Sequence, residues 1–328
     1  MVSTRPQAGK PCVGLRYTAF MTQIPDNQSP DTLESALQYS ADRLSASDVF
    51  FGHGTDSAWD EAVHLVLAVA GLEATSSDAV LTTPFTAAQW ESLQHLLVRR
   101  IEDRVPLPYL LGKAWFAGLE FICDERAIIP RSPIAQLILN DFAPWYAGRS
   151  PQRLLDLCCG GGCIGIAAAV YNPQLAVDCA DLDPAALALA SDNIEKFGLG
   201  ERVRAIQSDA FSALSTSPEE RYDIILSNPP YVDSSDLAGM PAEFGHEPAL
   251  ALGSGADGLD LTRLLLRQAG DYLADHGMLV LEVGNSQQAL EAAYPDVPFT
   301  WLEFEQGGHG VFVLSAAQLK EFGASLRQ

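Results

Sequence analysis

Two hydrophobic periods divide the chain. Between residues 32 and 104 apolar positions recur every three or four residues in three stretches, TLESALQYSADRL, SAWDEAVHLVLAVAGL and TAAQWESLQHLLVRRIEDR. That spacing puts an apolar stripe on each of three helices. Gly71 closes the second stretch, and Thr86 stands where an N-cap of the third belongs. Arg99, Arg100 and Arg104 fall in the last turns, where cations suit the helix dipole. Residues 31–104 are therefore expected to form a small helical domain. From 105 to 130 (VPLPYLLGKAWFAGLEFICDERAIIP) Pro and Gly punctuate a short aromatic-rich alternation, which predicts a β-hairpin connector.

From about Gln152 onward strand-like runs alternate with helical ones. The strands are RLLDLC, LAVDCADL, VRAIQS, YDIILS, GMLVLEVG, FTWLEFE and GVFVLS. Between them lie CIGIAAAVY, PAALALASDNIEKFG, DGLDLTRLLLRQAGDYLADHG and SQQALEAAY. This alternation predicts an α/β fold with one seven-stranded, doubly wound sheet over residues 131–328. In such sheets ligands sit beyond the carboxyl ends of the strands, at the topological switch point. Residues 1–30 read as a flexible extension whose scattered positive charge lacks the apolar core of a secretory leader. No apolar run approaches the roughly 20 residues of a membrane helix. A cytoplasmic location is expected.

The candidate chemistry gathers at the strand ends. DLCCGGGCIG (156–165) follows the first strand, and Gly160, Gly162 and Gly165 spell G-x-G-x-x-G. Glycines let the backbone turn tightly against a ligand, while the next helix offers free N–H groups. Asp181, ending the second strand, is placed to accept hydrogen bonds from ribose hydroxyls. These features alone serve a nicotinamide dinucleotide or S-adenosylmethionine. The third strand is followed by SDAF (208–211), where Asp209 is placed for an adenine amino group and Phe211 to pack nearby. The fourth ends in SNPPYV (227–232), which hydride transfer has no use for. The ordered set favours S-adenosylmethionine, with Asp156, Gly160, Gly162, Asp181, Asp209, Phe211 and Asn228 as candidate cofactor residues.

Proline has no N–H to give a sheet ladder, so NPPY is not a strand interior. A planar NH₂ nitrogen has its lone pair delocalised, and two acceptors holding its hydrogens turn it toward an electrophilic methyl. The Asn228 side-chain oxygen and the Pro229 carbonyl are candidates for those acceptors, with Tyr231 offering a face to the planar group. Their contribution is positioning and electrostatic preorganisation. Asn228, Pro229 and Tyr231 are the candidate catalytic residues. The motif itself fits an aromatic amine as well as a side-chain amide.

Charge separates those two. The 328 residues carry 42 acidic and 20 basic side chains, a net charge of −22. Between 219 and 260 nine acids (Glu219, Glu220, Asp223, Asp233, Asp236, Glu243, Glu247, Asp257 and Asp260) face one arginine, Arg221. Such a surface repels nucleic-acid phosphates and attracts a basic protein. A protein amide is therefore favoured over an adenine amine on nucleic acid, which is the alternative of another class. An intact NPPY argues against a non-catalytic cofactor-binding module. The six cysteines match no common zinc spacing, and a metal is not expected.

These residues resemble the glutamine-specific protein N-methyltransferases that act on translation components. The resemblance runs from about Leu33 to Gln318. It rests on FGHGTDSAWDEAV (51–63), KAWFAGLEF (113–121), ERAIIPRSPI (125–134), LDLCCGGGCI (155–164), NPPYVD (228–233), HEPALALGSGADGL (246–259) and EVGNSQ (282–287). FGHGTD and PRSPI look like the branch that methylates ribosomal protein L-three of the large subunit rather than the sister enzymes of peptide release factors. The resemblance implies that Asn228 and Pro229 bind the target amide, and that Gly160, Gly162, Asp181 and Asp209 bind S-adenosylmethionine. It also puts Arg131 and Ser132 at the cleft mouth as substrate contacts; His246 and Glu247, a short way after NPPY, are placed to flank the bound glutamine. In CCGGGC this chain departs from the family, with Cys159 and Gly161 where a Thr and a Ser are usual. His53 and Asp56 are expected to be structural, with Asp56 or Ser57 capping a helix and Trp59 filling a core.

Overall fold

The computed structural model describes residues 30–73, 78–146, 149–305 and 307–327. The expected extension over 1–30 lies, apart from Pro30, outside the described residues. The described residues divide into two compact units, one running from Trp115 to Met240 and from Glu247 onward, the other comprising those up to Ala114 together with Pro241–His246.

The helical unit holds α1 (Leu33–Ser45), α2 (Ala58–Ala70), α3 (Ala87–Ile101) and α4 (Leu107–Leu111). The caps follow the sequence. Thr86 and Gln89 form a capping box at α3, Gly71 ends α2 at φ 70°, and Ser57 rather than Asp56 caps α2 by accepting from the Asp60 N–H. Leu37, Leu44, Leu65, Leu93 and Leu97 make the core, and Trp59 packs against it. His53 is buried against the Phe244 ring, with centroids 4.5 Å apart.

Two features depart from the predicted boundaries. Residues 105–114 were expected in the connector, yet Leu107 is buried in the helical core, and this unit extends to Ala114. The turn Ala242–His246 also belongs here, although it follows NPPY in sequence. Its Glu243 is fully buried and accepts from Arg100 (3.2 Å), Arg104 (3.3 Å) and the Phe50 N–H (2.9 Å). Arg100, assigned by sequence to the helix dipole, is itself fully buried and paired with Glu61 at 2.7 Å. Removing one partner of such a buried cluster leaves uncompensated charge and costs about 3–5 kcal/mol.

The sheet unit begins within a two-stranded hairpin of β1 (Lys113–Phe116) and β2 (Leu119–Ile122), followed by α5 (Ile134–Leu139). Then come β3 (Arg153–Leu157), α6 (Cys163–Tyr171), β4 (Ala176–Asp181), α7 (Pro184–Lys196), β5 (Val203–Gln207) and β6 (Tyr222–Ser227). The chain continues through α8 (Ser234–Gly239), α9 (Asp260–Tyr272), β7 (Leu273–Glu282), α10 (Gln287–Ala293), β8 (Thr300–Trp301), β9 (Val311–Ser315), α11 (Ala316–Glu321) and α12 (Gly323–Leu326). The seven strands lie in the order β5-β4-β3-β6-β7-β9-β8, all parallel except β9, which is antiparallel to both neighbours. The order reverses at β3, between β4 and β6, which fixes the switch point.

Alternate residues of each central strand feed two apolar layers. Leu154 and Ile224 join the α6 side, while Leu155 and Ile225 join the α9 side. Every residue of β6 is buried, as a parallel strand covered on both faces requires. Two predicted elements differ. FTWLEFE forms a ladder only at Thr300–Trp301, because this edge strand pairs with β9 alone and exposes Glu303 and Glu305. LADHG, predicted as helix, starts β7, since Leu273 pairs with Tyr222 before a bulge.

Candidate active site

The carboxyl ends of β3, β4, β5 and β6 surround a solvent-open cleft. Each strand end contributes: Cys158 and Gly160 after β3, Asp181 and Asp183 from β4, Asp209 and Ala210 after β5, and Asn228 and Pro230 after β6. Ile128, Leu182 and Leu250 add apolar wall, and Arg126 is the cation of the lining, paired with Asp124 and Asp192.

Carboxylates hold the glycine turn by accepting its N–H groups. Asp181 accepts from Gly160 (2.8 Å) and from Asp183 (3.0 Å). Asp156 accepts from Gly165 at 2.7 Å. Gly160 has φ 53°, a left-handed conformation that glycine tolerates. Burial pushes the Asp181 carboxyl above its ordinary value despite these donors. Asp156 is wholly buried, and burial, opposed by the Gly165 bond and reinforced by the Asp181 charge, pushes it up to about 7.

On the neighbouring strand, Ser227 donates to the Leu157 carbonyl at 2.6 Å, tying the start of NPPY to β3. Asn228 is half-buried at the cavity wall, and among the described residues no protein group takes up its side-chain amide. Pro229 is buried, and the Tyr231 hydroxyl donates to Glu282 at 3.1 Å. Burial, together with the Glu282 charge, raises the Tyr231 phenol well above its usual range.

A family profile described as Methyltransferase small domain matches residues 135–243. A ribosomal protein uL3 glutamine methyltransferase of Francisella tularensis is 44% identical over 89% of this chain and 92% of its own length. One from Bordetella pertussis is 41% identical over 90% of this chain and 98% of its own. The chain belongs to the ribosomal protein uL3 glutamine methyltransferase family. Among solved structures, the hMettl16 catalytic domain in complex with a 3′UTR hairpin is 17% identical, with a TM-score of 0.46, covering 70% of this chain and 81% of that one.

Within this family member the structure sorts the sequence-derived candidates. Gly160, Asp181, Asp209 and Asn228 line one cavity. Asp156, Gly162 and Phe211 do not. Asp156 is spent on Gly165; Gly162 is the N-cap of α6, where a side chain would press on Ile166 and Ala190. Phe211 points the other way. Ala210 takes φ 47° and lines the cavity in its place, while the Phe211 ring stacks on Tyr272 at 4.5 Å in the α9-side core.

The candidate substrate contacts are engaged within the protein. Arg131 makes a two-pronged pair with Glu247 (2.6 and 2.8 Å), which also accepts from the Ile129 N–H. Ser132 is buried and donates to Glu282 at 2.6 Å. His246 meets the Asp103 carbonyl at 2.8 Å in the helical unit, so it is not grouped with Glu247. Glu282 was missed as a site residue, although EVGNSQ stood out in the sequence. Its signal was an acid closing the apolar run Met278–Leu281. The acidic count between 219 and 260 also overstates the exposed charge. Asp223, Glu243 and Glu247 are buried, and Asp257 and Asp260 pair with Arg263.

Proposed function

We propose that this protein transfers a methyl group from S-adenosylmethionine to the side-chain amide nitrogen of a glutamine in ribosomal protein uL3, in the cytoplasm. The observation that carries the reading is the 44% identity to a uL3 glutamine methyltransferase across both units, with NPPY at the wall of the strand-end cavity. The donor set fits the cofactor. Carboxylates at Asp181 and Asp209 suit ribose hydroxyls and an adenine amino group, apolar Ile128, Leu182 and Leu250 suit a flat base, and Gly160 admits a close approach. Bound there, S-adenosylmethionine supplies an electrophilic methyl on a sulfonium.

The chain's own residues orient the nucleophile. Asn228 Oδ1 and the Pro229 carbonyl accept the two amide hydrogens, turning the nitrogen toward the methyl and offsetting the positive charge that grows as the N–C bond forms. Both acceptors are neutral, so the nitrogen would keep its proton until the sulfonium C–S bond has given way to the N–C bond, and the acidic methylated nitrogen would then release it to water in the open cleft. Tyr231 covers the planar amide. The partner is a basic protein of the large subunit, and neither nucleic acid nor membrane is bound directly.

The test offers labelled S-adenosylmethionine with unmethylated uL3, a peptide release factor and ribosomal RNA in parallel, followed by mass mapping. Label on a uL3 glutamine alone is expected. Label on the release factor keeps the chemistry and overturns the substrate. Label on RNA alone overturns the amide.

A further inference from the structure

The turn after β7 holds Tyr231 at three points. Glu282 accepts from the Tyr231 hydroxyl, and Ser286 Oγ donates to the Tyr231 carbonyl at 2.8 Å. Between them Gly284 takes φ 44°, and any side chain there would overlap the Tyr231 ring. Hydroxyl, ring and carbonyl are each fixed by one alternate residue of EVGNS. A side chain at Gly258 would overlap the same Tyr231 carbonyl and the Ser286 hydroxyl, so this contact is enclosed. Glu282 is itself held from the opposite side by Ser132, whose hydroxyl donates to the other carboxylate oxygen at 2.6 Å.

We infer that Glu282 is a positioning residue for the methyl transfer, holding Tyr231 and through it the two acceptors of NPPY, with Ser132 orienting Glu282. The inference rests on the proposed amide chemistry. Two carboxylate oxygens accept from two hydroxyls, a combination an amide cannot reproduce because one of its ends is a donor. Pro229 and Pro230 make the loop stiff, and stiffness transmits the hold from the phenol to Pro229 and Asn228, two and three residues away. A loosely held loop loses rate because its acceptors spend less time at the transition-state geometry. PRSPI thus reaches the amide site indirectly, through a side chain the cavity does not show.

The test uses the full chain with uL3 and labelled S-adenosylmethionine, comparing the parent with Tyr231→Phe, Glu282→Gln and the double variant. Tyr231→Phe removes only the oxygen facing Glu282 and is expected to lower kcat about tenfold, equivalent to about 1.4 kcal/mol. Cofactor affinity stays within about twofold, since neither side chain lines the cavity. Glu282→Gln is expected to lower kcat similarly. The double variant should be no slower than the worse single one, because both break one contact. Unchanged kcat in Tyr231→Phe, or effects that multiply in the double variant, overturns the inference. If Glu282→Gln fails to fold, the Tyr231→Phe result alone decides. An inactive parent sinks the proposed function instead, so the two failures are separable.

Discussion

Two loops leave neighbouring parallel strands, and they are built in opposite ways. After β3 the chain runs through glycines, presents N–H groups, and is held by carboxylates that accept them, Asp181 from Gly160 and Asp156 from Gly165. After β6 it runs through prolines, presents carbonyl and amide oxygens, and is held by hydroxyls that donate, Ser227 to Leu157 and Ser286 to Tyr231. Leu157 and Ser227 are register partners, so both loops start from the same rung. A loop that must approach a ligand closely benefits from having no side chains. One that must aim two acceptors benefits from having few backbone conformations and few competing donors. The fold supplies the rung; the residue types decide which partner each loop suits.

The sharpest way to break this comparison is Asn228→Ala. Turnover should fall by about 10²–10³-fold while cofactor affinity, measured by titration calorimetry, stays within a few-fold. Equal losses in both would mean that the two loops do not divide the work. Gly165→Ala attacks the other loop. Its Cβ would lie 2.7 Å from Cys179 Sγ and 3.0 Å from Asp156 Cβ, so denaturant unfolding should show a loss of about 1–3 kcal/mol, with weaker cofactor binding.

Asp156→Asn sharpens the account of how the glycine loop is held. Native Asp156 titrates near 7, against 3.8 for an unperturbed carboxyl, so the native state holds the proton that the unfolded chain releases as pH rises between those values. Parent stability from this group therefore falls from about pH 4 to about pH 7, and asparagine lacks that fall. Relative to the parent, the variant should gain stability between unfolding experiments at pH 5 and pH 8. A constant difference would contradict the elevated titration. The smallest effect is expected of Phe211→Leu, about 1–1.5 kcal/mol of stability with cofactor affinity unchanged, because the ring packs on Tyr272 away from the cavity.

The legible parts of the sequence were those governed by local rules. Thr86 and Gly71 announce helix ends through their own backbone chemistry, and CIGIAAAVY and YDIILS match α6 and β6 within a residue. The four cavity-lining candidates were readable because a strand followed by Gly, Asp or Asn fixes position by counting. Phe211 failed that counting because Ala210 turns left-handed, which reverses the side the next residue faces. Arg131–Glu247 and Ser132–Glu282 join residues 116 and 150 apart, and no periodicity encodes such pairs. The acidic window of 219–260 hides its neutralisation for the same reason: the arginines that pair with it, at 100, 104, 131 and 263, lie outside that window.

The excursion at Pro241–His246 gives the molecule an unusual ancestry problem. A cassette comprising the helical residues up to 114 would carry Arg100 and Glu61 to a new host but leave Glu243 behind, stranding a buried guanidinium with half its counter-charge. Exchange of the whole unit needs crossovers near 114, 240 and 246 at once, the last two within a short stretch after NPPY. Chimaeras made at the single junction near 114 should therefore be recovered mostly as insoluble protein, and those that also carry 241–246 as soluble protein.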